Sequence, residues 1–136
     1  MNEMKGGCLC GQVRYTVKQV ASTAVCHCKD CQKQTGTSFS VVLAVPAEAL
    51  STQGTLSVYS TRGESGGAVA RHFCGQCGSP IYSAAEAAPA AVFVKAGTLD
   101  DTGVLEPQVE FWCDTAQPWL EQRASLPRMP RNPPLG

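Results

Sequence analysis

Residues 12–18 alternate strictly, with Val13, Tyr15 and Val17 on one parity and Arg14, Thr16 and Lys18 on the other. That period of two is the pattern of a β-strand with one face buried. Residues 20–25 are a weaker strand candidate that leads into a cysteine-rich loop. Residues 39–45 are largely apolar and β-branched until Pro46 stops them, as expected of a strand inside a core. Residues 56–61, 68–73, 80–83, 91–96 and 109–113 give further short strands. The glycine-rich stretch 63–67 reads as a hairpin loop between two of them.

Helix signals are few. Residues 32–38 are polar and hold at most one turn closed by Gly36, and residues 46–50 suggest another single turn. No amphipathic helix of ordinary length, internal repeat, P-loop or dinucleotide fingerprint is visible. Many short strands punctuated by turns predict a mainly β domain over residues 1–126. From Pro127 to Gly136 five residues are proline or glycine with no apolar period, and this tail is expected to be disordered.

Composition narrows the partners. Lysine plus arginine equals aspartate plus glutamate at 11 each, so neither nucleic acid nor a basic partner is indicated. Residues 41–45 form the longest strongly apolar run, far short of the roughly 20 a membrane helix needs. Residues 1–6 lack the apolar stretch of a secretory signal, which points to a reducing, cytoplasmic setting. Oligomeric state leaves no trace in the sequence.

Eight cysteines in 136 residues then need a reason. In a reducing compartment closely spaced cysteines read as metal ligands before they read as a disulfide framework. Cys8-x-Cys10, flanked by glycines, and Cys74-x2-Cys77-Gly78 make two short pairs. Four thiolates close a tetrahedral zinc shell, so Cys8, Cys10, Cys74 and Cys77 are expected to form a structural site pinning the N-terminus to the middle of the chain. A redox Cys-x2-Cys would instead sit between a strand and a helix.

Cys26, Cys28 and Cys31 form a second cluster with three thiols. A structural zinc takes four protein ligands, a catalytic one three and an open position. His27 points away from its cysteine neighbours in extended backbone and is expected to pack or hydrogen-bond instead. His72 shares parity with Cys74, whose site is already full. Cys113 is the rival. Either it completes a closed four-thiolate shell, or it is an ordinary buried thiol and the trio stays open. Metal-free cysteine nucleophilicity is a third option.

Gly7-Cys8-Leu9-Cys10-Gly11, Cys26-His27-Cys28-Lys29-Asp30-Cys31 and Phe73-Cys74-Gly75-Gln76-Cys77-Gly78 together resemble the glutathione-dependent formaldehyde-activating enzyme family, also called centromere-protein-V-like. Ala96-Gly97-Thr98-Leu99-Asp100 and Pro118-Trp119 add to the likeness, which covers roughly residues 5–120. The resemblance implies a β-tent (Mss4-like) fold of antiparallel sheets and two zinc ions per chain. One would be structural on Cys8, Cys10, Cys74 and Cys77, the other catalytic on Cys26, Cys28 and Cys31. It further implies a carbon–sulfur lyase acting on glutathione and formaldehyde. A non-enzymatic zinc-binding module of the same fold is the alternative. Residues 32–38, Trp112 and Trp119 are candidate groove-lining positions, with core packing the competing role for both tryptophans.

Overall fold

The computed structural model describes residues 3–63, 66–120 and 126–132. Ten strands form two sheets. β1 (Met4–Gly7), β2 (Arg14–Val17) and β5 (Leu50–Gln53) make an antiparallel three-stranded sheet in the order β1-β2-β5. The larger sheet holds β3 (Ser22–Cys26), β4 (Ser40–Pro46), β6 (Leu56–Arg62), β7 (Ala68–Cys74), β8 (Pro80–Ala85), β9 (Ala91–Lys95) and β10 (Val109–Phe111). Its order is β10-β3-β4-β9-β8-β7-β6. Every pair is antiparallel except β10 against β3, which is parallel.

The mainly β, little-helix architecture is the one the pattern predicts. β1 and β5 escape it because each is four residues long and pairs by backbone alone on either side of β2. The hairpin between β6 and β7 is present, closed by Gly63 N–H donating to the Gly67 carbonyl at 2.8 Å. Its tip, Glu64 and Ser65, lies outside the described residues. The last strand is shorter than residues 109–113. Trp112 takes a left-handed φ of 58° and Cys113–Thr115 turn as a 3-10 helix.

Register assigns the two faces of the large sheet. Leu43, Val45, Val92 and Val94 face Val13, Tyr15 and Val17 of the small sheet in one cluster of buried residues. On the other face, Ser22, Ala44, Phe93, Ser83 and Arg71 lie side by side in a single cross-strand row. Lys95 and Val42 form the next row and Cys26 with Ser40 the one after. Because β4 packs on the core with one face and lines a largely apolar cavity with the other, its sequence reads as a nearly unbroken apolar run rather than an alternation.

The sheets are tied at two places. Cys8 and Cys10 follow β1, Cys74 ends β7, and Cys77 lies in the turn between β7 and β8. Elsewhere residues 96–100 lie against the small sheet. Leu99 bridges Gly6, the Asp100 N–H donates to the Lys5 carbonyl, Tyr15 bonds Thr98 at 2.7 Å, and Arg14 forks onto Asp100. Gly6 is required by this approach, since a Cβ there would come within 2.4 Å of the Thr98 carbonyl and the Tyr15 hydroxyl.

Within the 127–136 stretch, residues 127–131 hydrogen-bond with the backbone of residues 110–114. Glu110 N–H donates to the Pro127 carbonyl, Met129 N–H to the Glu110 carbonyl and Cys113 N–H to the Met129 carbonyl, all at 2.9 Å. Backbone pairing needs no apolar period, so composition is blind to it. Residues 133–136 lie outside the described residues.

Leu43, only 1% exposed, should be far more sensitive to truncation than Val58 on the edge strand β6. Leu43→Ala is expected to cost about 2–5 kcal/mol and Val58→Ala under about 1 kcal/mol in urea unfolding. Equal costs would contradict this assignment of the core.

Candidate metal centres and the cavity beside them

The Sγ atoms of Cys8, Cys10, Cys74 and Cys77 all lie within 4.8 Å of one another. Cys8 to Cys10 is 3.6 Å and Cys10 to Cys74 is 3.8 Å. These separations exceed a disulfide bond of about 2.05 Å and match the edge, about 3.8 Å, of a tetrahedron of thiolates about 2.3 Å from zinc. Gly11 and Gly78, at φ 85° and 83°, make the left-handed turns after each pair. Val13 N–H and the Gln12 amide donate to Cys8 and Cys74 sulfurs at 3.2 Å. A hydrogen bond with the Ser79 hydroxyl is the main cause holding the Cys77 thiol down to about 5. A cluster so supplied with donors suits thiolates, and these four residues could hold a metal ion.

The second trio is built at a strand-to-helix corner. Cys26 ends β3, and α1 (Lys29–Thr35) begins three residues later. Cys28 is the N-cap of α1, its Sγ accepting from the Cys31 N–H at 3.3 Å. Residues 32–38 had suggested a single turn; the helix starts earlier because the cysteine loop supplies its cap. Gly36, at φ 74°, closes it as expected. Cys26, Cys28 and Cys31 sulfurs lie within 4.8 Å of one another, so this trio too could hold a metal ion. Hydrogen bonds from Cys26 and Cys28 are the main cause holding the Cys31 thiol below its usual range, and the positive charges of Lys95 and Arg71 add to the effect.

Cys113 is not part of that trio. Its Sγ groups with His27 and Glu110 instead. His27 projects away from its cysteine neighbours, as its parity predicts, and is 1% exposed with Nε2 2.8 Å from Glu110 Oε1. The backbone around it is clamped: His27 N–H donates to the Phe111 carbonyl, while Gln32 and Thr115 side chains both donate to its own carbonyl. Cys113 Sγ sits 3.9 Å from the Glu110 carbonyl and burial pushes its thiol up. His72 joins neither cysteine group and stacks on Tyr82, with centroids 4.2 Å apart.

The trio borders a cavity of about 340 Å³ on the outer face of the large sheet. Its floor is the cross-strand row from Ser22 to Arg71, its cysteine end includes Lys29 and Asp30, and Trp112 with Asn132 contributes to its wall. Of the groove candidates, Trp112 lines it. Trp119 does not and is 70% exposed, while Gln32 is buried beside His27. Two buried cations, Arg71 and Lys95, are not evident from the sequence pattern. Their only signal was a charge on the buried parity of an otherwise apolar strand. Lys95 Nζ donates to Ser40 Oγ at 2.9 Å. Burial lowers its pKa, and the thiolates of Cys31, Cys26 and Cys28 oppose that.

Residues 3–115 match the family described as Glutathione-dependent formaldehyde-activating enzyme. The chain belongs to this family. Two curated proteins, from Aspergillus flavus and Aspergillus oryzae, are each 34% identical over 107 residues and are named, by inference, glutathione-dependent formaldehyde-activating enzymes. The match covers 74% of this chain but 56% of each of them, so the chain spans about half the length of those relatives. A solved Rhodobacter sphaeroides protein shares the fold at TM-score 0.59 and 22% identity, covering 76% of this chain and 92% of its own. Among the described residues no helix is long and apolar enough to cross a membrane.

Removing Glu110 should loosen the cysteine corner through His27. Glu110→Ala leaves His27 Nε2 without its partner in a buried site and is expected to cost about 1–3 kcal/mol. Glu110→Gln, which keeps a hydrogen bond, should cost less in thermal unfolding. Identical behaviour of the two variants would refute the clamp.

Proposed function

We propose that the chain promotes addition of the glutathione thiol to formaldehyde, giving S-hydroxymethylglutathione, and the reverse carbon–sulfur cleavage. In the forward direction the sulfur–carbon bond forms as the carbonyl π-bond opens, and the thiol proton ends on the former carbonyl oxygen. The observation that supports this reading is the position of Cys26, Cys28 and Cys31 at the mouth of a cavity while Cys113 turns to His27 and Glu110. Family membership and the relatives' names favour the same substrates.

In this reading Cys8, Cys10, Cys74 and Cys77 hold a structural zinc whose binding energy is also folding energy. Cys26, Cys28 and Cys31 hold a second ion. A zinc bound by three thiolates supplies a soft Lewis-acidic position that takes a thiol in its deprotonated form. The chain's own residues do the rest. Lys95 Nζ, fixed by Ser40, lies beside the trio, where burial lowers its pKa and the thiolates oppose that. Val42, Ala44, Phe93 and Phe111 give the cavity apolar walls that limit water near the reacting atoms. The setting is cytoplasmic, and the ligand is a small thiol rather than nucleic acid or membrane.

Zinc counted by native mass spectrometry should be two per chain, falling to one in Cys28→Ser and staying at two in Cys113→Ser. Adduct formation should exceed the uncatalysed rate in the parent and in Cys113→Ser, and return to that rate in Cys28→Ser. Loss of a zinc in Cys113→Ser would favour the closed, non-enzymatic module instead.

A further inference from the structure

We propose that Arg71 is the anchor for a carboxylate of the thiol ligand in this cavity. This rests on the reading that a thiol enters at the trio. Arg71 is 7% exposed, and arginine is rarely buried so far unless its charge is paired. Among the described residues the ion pairs are Arg14–Asp100, His27–Glu110, Arg128–Glu110 and Arg131–Asp114, and Arg71 takes part in none. It makes no side-chain hydrogen bond there either. Nor is it sealed off. Arg71 lines the cavity, and its nitrogens are absent from the buried polar atoms that lack partners.

Its cross-strand neighbours carry no carboxylate, and the anionic group within its electrostatic reach is the Cys31 thiolate. Ser83 lies opposite it on β8, with Phe93 beyond and Val69 and Ala85 in the adjoining row. Lys95, the other buried cation, already has Ser40 and the cysteine thiolates. The guanidinium fork of Arg71 therefore has no carboxylate or hydrogen-bond partner among the described residues, and its planar pair of N–H donors fits a carboxylate in bidentate fashion. A buried guanidinium without hydrogen-bond partners is costly, so a carboxylate supplied by the ligand stabilises it.

Register separates the two backbones. Cys26 is on β3 and Arg71 on β7, four strand spacings away in the order β3-β4-β9-β8-β7, or about 19 Å between backbones. The long arginine side chain reaches inward, close enough for its charge to act on the Cys31 thiol, which shortens the gap a ligand crosses. A tripeptide thiol, whose carboxylates are many bonds from sulfur, spans it.

Calorimetric binding to the zinc-loaded protein tests this with three probes: glutathione, its diethyl ester and S-methylglutathione. Glutathione should bind the parent roughly 10- to 100-fold more tightly than the diester, the range expected for a charged hydrogen-bonded pair. Arg71→Gln should remove that advantage and leave diester affinity unchanged, with Arg71→Lys in between. S-methylglutathione should keep its dependence on Arg71. The diester comparison uses the parent protein, so misfolding of a variant cannot mask the answer. Equal affinity of glutathione and diester for the parent, no loss in a folded Arg71→Gln, or no binding of any probe would overturn the assignment. If S-methylglutathione binds the parent as tightly as glutathione while Arg71 dependence persists, the thiol-at-the-trio reading falls and the carboxylate anchor stands.

Discussion

A seven-stranded sheet whose central strands are apolar on both faces must cover both, and the rest of the molecule follows from how it does so. One face is covered by the small sheet through Leu43, Val45, Val92 and Val94. The other is covered only in part, by α1 at one side and by the segments around Trp112 and Asn132 at another, which leaves a cavity floored by strand residues. A floor of rigid strands holds the positions of Cys26, Lys95 and Arg71 more firmly than a loop would, because each is fixed by register with its neighbours.

The two cysteine clusters serve that arrangement differently. Cys8, Cys10, Cys74 and Cys77 join the start of the small sheet to the β7–β8 turn, and residues 96–100 tie the sheets at a separate place. The trio sits on the opposite face, at a corner stabilised from behind. His27 separates the first two thiols in sequence and turns into the protein, where Glu110 and the Gln32–Thr115 contacts hold it. The residue between the cysteines thus anchors the loop while the cysteines face outward. Cys113 belongs to that rear anchorage.

Much of this was legible in the chain because it rests on short-range patterns. The alternation of Val13, Tyr15 and Val17, the apolar run before Pro46, the glycine after Cys77 and the parity of His27 each encode one local geometry. The lengths of β1 and β5 gave no periodic signal, and the pairing of residues 127–131 with β10 uses backbone groups that every sequence carries. The parallel entry of β10 beside β3 decides where Cys113 goes, and no spacing rule reveals a pairing between residues so far apart. Arg71 and Lys95 were hidden for a related reason: a single charge in a strand looks like its exposed face until register shows otherwise.

The central claim is that the trio offers a ligand position to a thiol arriving from the cavity. Cobalt substituted for the native metal reports sulfur ligation through its thiolate charge-transfer absorption. Titrating the cobalt protein with glutathione should strengthen that band by one thiolate per chain, and S-methylglutathione should not. A band already at full four-sulfur strength in both sites, unchanged by glutathione, would contradict the open position.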